Sequence, residues 1–181
     1  MDSKRKKTLM KKYDRTAEIY DQLYLPEQKS KYCAILPALS LSKADSVLDA
    51  GCGTGLLIPL IAKRSRLVVG IDISLKMLEQ AKRRSLSFRN VDLVLADVEF
   101  LPLRDECFSR IFALTTLQNV LNKRRALKEI KRIGTRNSLK ILTLLKKGDE
   151  TKQIGLLEKM RFKIRLIQDS EQLKDILTIC V

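Results

Sequence analysis

The chain contains no histidine and no tryptophan, and its four cysteines (Cys33, Cys52, Cys107, Cys180) form no CxxC pair. The first absence removes imidazole as a general base, leaving Asp, Glu, Tyr or water, or a reaction that needs none. Cysteines so spaced, without histidine, argue against a zinc site of ordinary type and indicate no disulfide framework. Aromatic residues are sparse, four Tyr and five Phe, which does not support a broad platform for stacking bases. No apolar run approaches the ~20 residues of a membrane span. The basic opening Met1-Asp2-Ser3-Lys4-Arg5-Lys6-Lys7 lacks the apolar stretch of a secretory signal. The expectation is a cytoplasmic protein without a membrane partner. Acids are scarce as well: 21 Asp and Glu stand against 36 Lys and Arg, a formal net charge of +15.

What is present reads as one domain of 181 residues, large enough for a proper core and free of repeats or long low-complexity segments. Apolar strand patterns alternate with helical ones from Ser46 onward. Strands are expected near 46–49, 67–72, 92–97, 110–115, 139–146, 162–168 and 173–181, and helices near 55–64, 74–85, 122–133 and 151–160. Such alternation predicts an α/β fold, a mostly parallel sheet covered on both faces.

The first strand runs into a glycine-rich turn, Val47-Leu48-Asp49-Ala50-Gly51-Cys52-Gly53-Thr54-Gly55, and the second ends in an acid, Leu67-Val68-Val69-Gly70-Ile71-Asp72. Glycines in GxGxG spacing let the backbone turn sharply and approach a ligand closely. Asp72, 21 residues after Gly51, stands where an acid holds two ribose hydroxyls. The pattern implies a nucleoside cofactor. Asp49 discriminates among these, because a dinucleotide brings a pyrophosphate to this turn, and a carboxylate there would repel it. S-adenosylmethionine (SAM) brings a sulfonium and an ammonium, which the same acid attracts. The third strand, Asp92-Leu93-Val94-Leu95-Ala96-Asp97, ends in another acid, with Val98 beside it. Asp97 is placed to accept from an adenine amino group. Taken singly, each acid would serve equally well to cap a helix or finish a strand.

The runs DAGCGTG, GIDIS and ADVEFLPLRDECFSRIFAL resemble the motifs of class I SAM-dependent methyltransferases, over roughly Ser46 to Ile133. The nearest likeness is to small members with few insertions, some of them archaeal RNA methyltransferases. The resemblance implies a Rossmann-like seven-stranded sheet with one antiparallel strand near the C-terminus. It also implies cofactor-binding roles: Asp49, Gly51, Cys52 and Gly53 at the methionine end, Asp72 at the ribose, Ile73 at the adenine face, Asp97 and Val98 at its edge, and Thr115 in the loop after the fourth strand. An N-terminal helical cap (1–40) would precede the SAM-binding core (41–181) within the same domain.

In the cap, Leu9, Tyr13, Ala17, Tyr20 and Tyr24 recur at helical steps. A second helix is expected to begin at Pro26 and turn Tyr32, Ile35, Leu36 and Leu39 inward. Tyr13 reads as packing. In similar enzymes a YDxxAxxYD-like segment closes over the cofactor, here Tyr13-Asp14-Arg15-Thr16-Ala17-Glu18-Ile19-Tyr20-Asp21, which sets Tyr20 or Tyr24 near the methyl group. Gln118 and Asn119 offer side-chain carbonyls that could accept from an exocyclic amine; Asn119 would equally serve as a helix cap. The Asn/Asp-Pro-Pro-aromatic tetrad of many amino-group methyltransferases is missing. Cys52 and Cys107 are poorly placed for covalent cytosine chemistry.

Basic residues cluster twice: six in residues 1–12, and ten in 123–147 against Glu129 alone. Such clusters suit a phosphate backbone, or simply a solvated surface. The leading expectation is methylation of a base nitrogen in structured rRNA or tRNA. The alternatives are a small-molecule methyltransferase of the quinone-biosynthesis type and a non-catalytic SAM- or RNA-binding module. A helper subunit is compatible with this class, and a monomer is expected.

Overall fold

In the computed structural model, which describes residues 2–146, 150–168 and 173–181, the apolar runs of the sequence become the centre of a sheet. The strands are β1 (Ser46–Ala50), β2 (Leu67–Asp72), β3 (Val91–Leu95), β4 (Phe108–Ala113), β5 (Gly134–Leu145), β6 (Ile164–Gln168) and β7 (Asp175–Cys180). The helices are α1 (Asp2–Thr16), α2 (Tyr20–Ile35), α3 (Ile58–Ala62), α4 (Leu75–Ser85), α5 (Lys123–Ile133) and α6 (Glu150–Lys159). Every residue of β1 is buried, the pattern of a strand covered on both faces. The seven strands lie in the order β3-β2-β1-β4-β5-β7-β6. The first five in sequence pair in parallel, and β7 runs antiparallel to both of its neighbours. The chain therefore steps outward from β1 to β3 and returns to the other side of β1 as β4. Ligands of open α/β sheets bind at the strand C-termini beside such a reversal.

Two apolar cores form, one on each side of the sheet. One joins Leu127 and Ile130 of α5 and Leu157 of α6 to β4 and β5. The other joins Ile35 of α2, Ile58 and Ile61 of α3 and Ala81 of α4 to β1 and β2. Ser74 caps α4 by accepting from Met77 N, and Asn122 caps α5 by accepting from Arg125 N. No helix among the described residues is long and apolar enough to cross a membrane.

Several boundaries depart from the sequence expectation. The helix expected over 55–64 contracts to α3, since Gly55 sits at φ +76° and the far end tightens into a turn from Arg64 N to Ile61 O. β5 starts at Gly134 rather than near 139. A register irregularity between Phe108 and Arg110 admits the polar residues 134–138 at its start. β3 ends at Leu95, so Asp97 lies in the loop beyond it. β4 likewise ends at Ala113, leaving Leu114 and Thr115 in the turn. The cap breaks at residues 17–19, where Ile19 N bonds to Thr16 O. Tyr20 and Tyr24 thus belong to the second helix, and Pro26 sits inside it. Proline's fixed φ suits a helix; what it forfeits is one amide bond, here on an exposed stretch.

Candidate active site

The glycine turn divides its work by position. Gly51 (φ +80°) is pressed against Thr116, whose Oγ1 would lie 2.4 Å from any added Cβ. Gly53 (φ +54°) has nothing within 4 Å of that point. Its missing side chain leaves open space at the end of β1. Gly51 N and Cys52 N both donate to Ile71 O, which ties the turn to β2. Gly53 N donates to Asp72 Oδ2 at 2.9 Å, and Ser74 N donates to Asp72 Oδ1 at 2.9 Å. Burial raises the Asp72 carboxyl above its ordinary pKa, against the pull of these amides.

The main cavity opens at this point. The core supplies Gly51, Gly53, Asp72, Ile73, Asp97 and Val98. The turn after β4 supplies Thr115 and Asn119, and the cap contributes Lys6, Leu9, Tyr13 and Tyr20. Asp49 and Cys52 line an adjoining cavity that shares Gly51, Gly53 and Tyr20 with the first. The Asp49 carboxylate is buried and has neither a hydrogen-bond donor nor a counter-ion among the described residues. Burial and the nearby Asp72 push its pKa from 3.8 to about 7. A buried acid of this kind is stabilised by a cationic ligand and repels an anionic one. Together with the space beside Gly53, this suits a sulfonium and ammonium ligand better than a pyrophosphate. Cys52 is buried, and desolvation and Asp49 raise its thiol well above the usual range, which disfavours the thiolate.

The cap reaches the core through residues whose role the sequence did not announce. Lys6 forms ion pairs with Asp97 and Glu99 and lies 4.9 Å over the Phe100 ring. Although burial opposes it, these two carboxylates raise the Lys6 pKa. Asp97 also accepts from Glu99 N at 2.9 Å. Asp14 Oδ1 accepts from Ser74 Oγ at 2.6 Å. Asp21 accepts from Thr54 Oγ1 at 2.6 Å and pairs with Arg84 at 2.5 Å. In the repeated Tyr-Asp of the cap, then, each aspartate grips the core and each tyrosine lines the cavity. Tyr13 was expected to pack and instead faces the cavity; desolvation and Asp72 push its phenol up to about 12. Tyr20 is raised by burial too, and by Tyr13. Tyr24 stacks on Tyr20 at 4.7 Å but is exposed and lines neither cavity.

Of the pair in the loop after β4, only Asn119 reaches the cavity, where its Nδ2 donates to Thr115 O at 2.8 Å. Asn119 does not cap α5; Asn122 does. Gln118 turns away from the cavity lining, and its Oε1 is buried without a partner. Three members of the second basic cluster are engaged internally, while Arg124, Lys128 and Arg136 are exposed. Arg132 pairs with Glu129 and Asp105. Lys131 donates to the carbonyls of Met160 and Arg161. Lys140 is buried, with its pKa lowered by desolvation. Arg125 lies 4.7 Å from the centre of the Phe100 ring, which Lys6 also approaches. Lys147 lies outside the described residues.

A family model described as a methyltransferase domain matches residues 48–141. Among curated proteins, the malonyl-[acyl-carrier protein] O-methyltransferase of Marinomonas sp. is 33% identical over 145 residues, covering 79% of this chain and 53% of that protein. The demethylmenaquinone methyltransferase of Tropheryma whipplei is 32% identical over 118 residues, covering 63% and 49%. The chain spans about half the length of these curated relatives. Among solved structures, a chain in the complex of the Haloferax volcanii Trm112 methyltransferase activator with a methyltransferase superposes with a TM-score of 0.78 at 12% identity, over 93% of this chain and 96% of that one. SAM is the cofactor that the family and fold imply. None of these comparisons supports RNA as a partner. The chain belongs to the methyltransferase domain family, within the class I SAM-dependent methyltransferases.

Proposed function

We propose that this protein is a SAM-dependent methyltransferase whose acceptor is a small, largely apolar compound rather than RNA. The observation that carries the acceptor class is the roof of the cavity: Leu9, Tyr13 and Tyr20 descend from the cap onto a space also walled by Val120 and Leu121. A space lined in this way suits a ring or short chain. Demethylmenaquinone, named for one relative, is an acceptor of this class; malonyl-[acyl-carrier protein], named for the other, is not RNA but carries its acyl group on a protein.

In this reading residues 1–40 form the cap and 41–181 hold the cofactor. Asp49 meets the ammonium end, Gly51 and Gly53 admit the methionine arm, and Asp72 takes the ribose hydroxyls. Ile73 and Val98 flank the adenine, and Asp97 accepts from its amino group when Lys6 yields that carboxylate. When bound, SAM supplies a methyl group on a sulfonium; the acceptor's lone pair forms the new bond, the S–C pair stays on sulfur, and any proton leaves from the acceptor. The residues contribute mainly alignment and exclusion of water. Tyr13, Tyr20 and Asn119 line the reaction space, the two tyrosines as neutral phenols.

RNA stands as the second reading, carried by Lys6, Arg125 and the exposed Phe100 at the rim. The deciding assay transfers radiolabelled methyl from SAM into unmodified total RNA, protein and small-molecule extracts in parallel, with Asp72→Ala as control. Label is expected in the small-molecule fraction and lost in the variant; label in RNA overturns the acceptor assignment. If SAM binds without turnover, an activating subunit of the kind in the Haloferax complex is the next addition.

A further inference from the structure

Lys31, on α2, is 1% exposed, and its ammonium group places all three donors inside the protein. They meet Asp175 Oδ2 at 2.5 Å, Glu27 Oε1 at 2.9 Å and the Thr115 hydroxyl oxygen at 2.8 Å. Gln28 Nε2 donates to that same hydroxyl oxygen at 3.2 Å. A hydroxyl has two lone pairs and one proton. With both lone pairs taken by N–H donors, Thr115 can act on anything else only as a donor, and its proton finds no acceptor among the described residues. Thr115 lines the main cavity. Its backbone sits at φ +59°, a left-handed conformation that a β-branched residue rarely adopts. Its amide donates to Thr143 Oγ1 and its carbonyl accepts from Asn119. Strained backbone so thoroughly held is typical of ligand sites.

We propose that Lys31 is a positioning residue: with Gln28 it occupies the lone pairs of Thr115 and so commits the Thr115 hydroxyl to donate its proton to an oxygen of the bound ligand. The inference rests on the reading of the cavity as a SAM site. The positive charge of Lys31 is balanced by Asp175 and Glu27, so its effect is orientation and polarisation rather than long-range attraction. A hydroxyl that already accepts from an ammonium donates more strongly. Two groups would bring an oxygen to this point: the methionine carboxylate of the cofactor, or a carbonyl, carboxylate or phenolate oxygen of the acceptor.

Calorimetric titration of the full chain with S-adenosylhomocysteine and with 5′-methylthioadenosine, which lacks the amino-acid arm, separates the two sources. If the wild-type chain fails to bind S-adenosylhomocysteine, the cofactor reading falls and takes this inference with it; the variants test the inference alone. Thr115→Val keeps the side-chain shape and deletes the hydroxyl. Where the oxygen is the cofactor's, this variant binds S-adenosylhomocysteine about tenfold more weakly and 5′-methylthioadenosine unchanged. Where the oxygen is the acceptor's, both affinities hold and methyl incorporation in the labelling assay falls by about tenfold or more. Thr115→Ser behaves as wild type in either case. Lys31→Met reproduces the deficit but adds nothing in the Thr115→Val background, the signature of acting through Thr115. Should Lys31→Met not fold, Gln28→Leu, which frees the other lone pair of Thr115, takes its place in the cycle: a deficit that vanishes in the Thr115→Val background supports the proposal, and wild-type behaviour or full additivity overturns it. The proposal is overturned by wild-type binding and turnover in Thr115→Val, by a Thr115→Ser deficit as large as that of Thr115→Val, or by full additivity of Lys31→Met and Thr115→Val.

Discussion

A carboxylic acid buried without a partner is a cost to the folded chain, and Asp49 is such a residue. Its folded pKa of about 7 lies above the ordinary 3.8, so within that range the folded state holds a proton that the unfolded state releases. Stability is therefore lost as pH rises from about 4 towards 7, by up to about 1.4 kcal/mol per pH unit. In the folded state ionisation comes around pH 7 and creates the charge that a cationic ligand needs. Asp49→Asn is accordingly expected to raise the melting temperature of the ligand-free protein more at pH 8 than at pH 5. It should also weaken S-adenosylhomocysteine binding at pH 8 by about tenfold or more. Thermal unfolding at the two pH values and calorimetry check both; a variant with unaltered affinity would remove Asp49 from the cofactor site.

At the scale of elements, the junction that matters is between the cap and the sheet. Helix α1 contributes little apolar surface to it, since most of its residues are polar. Instead α1 and the start of α2 are joined to the core by polar contacts at separate places, Lys6 on the β3 loop, Asp14 on the start of α4 and Asp21 on the glycine turn, whereas Tyr32 and Ile35 at the end of α2 lie in the apolar core. Contacts of this kind are each worth about 1 kcal/mol, less than a packed apolar face, so the cap should open locally before the sheet unfolds. Asp21→Ala frees both Thr54 and Arg84, and brief trypsin digestion should then cut within residues 1–25 faster than in wild type while the sheet stays intact. S-adenosylhomocysteine should slow that cleavage in the wild-type chain. Equal cleavage rates in variant and wild type would show that Asp21 does not hold the cap.

For the whole molecule, a net charge of +15 suggests a polyanion until the positions of the charges are considered. Lys31 and Lys140 are buried, Arg132 braces the loop before β4, and Lys131 holds the carbonyls after α6. Basic side chains used as struts are taken from the count available to phosphates, and in the reading of a small acceptor the remaining exposed ones are solvated. Raising the salt from about 50 to about 200 mM should therefore change methyl transfer to a small acceptor by less than about twofold. An enzyme gripping RNA through several phosphates would lose affinity by orders of magnitude over that range. A steep loss of turnover with salt would restore the RNA reading.

Periodicity and chemistry that are local in the chain were enough to establish the α/β order, the glycine turn and the three acids at or just beyond strand ends, because strand burial and turn conformation are set by neighbouring residues. The same local signals misassign the cap before α5, since Asn122 rather than Asn119 fills it. Which residues share the cavity was decided only in three dimensions. Lys6 and Asp97 are 91 positions apart, and Lys31 and Asp175 are 144 apart, and no local pattern marks either pair. Gln118 and Asn119 are adjacent and chemically alike, yet the turn admits one to the cavity and turns the other away. Hydrophobic pattern specifies faces of elements; the pairing of buried polar groups depends on how those elements meet, because an ammonium or carboxylate removed from water must find its partner wherever the fold brings one within hydrogen-bond reach.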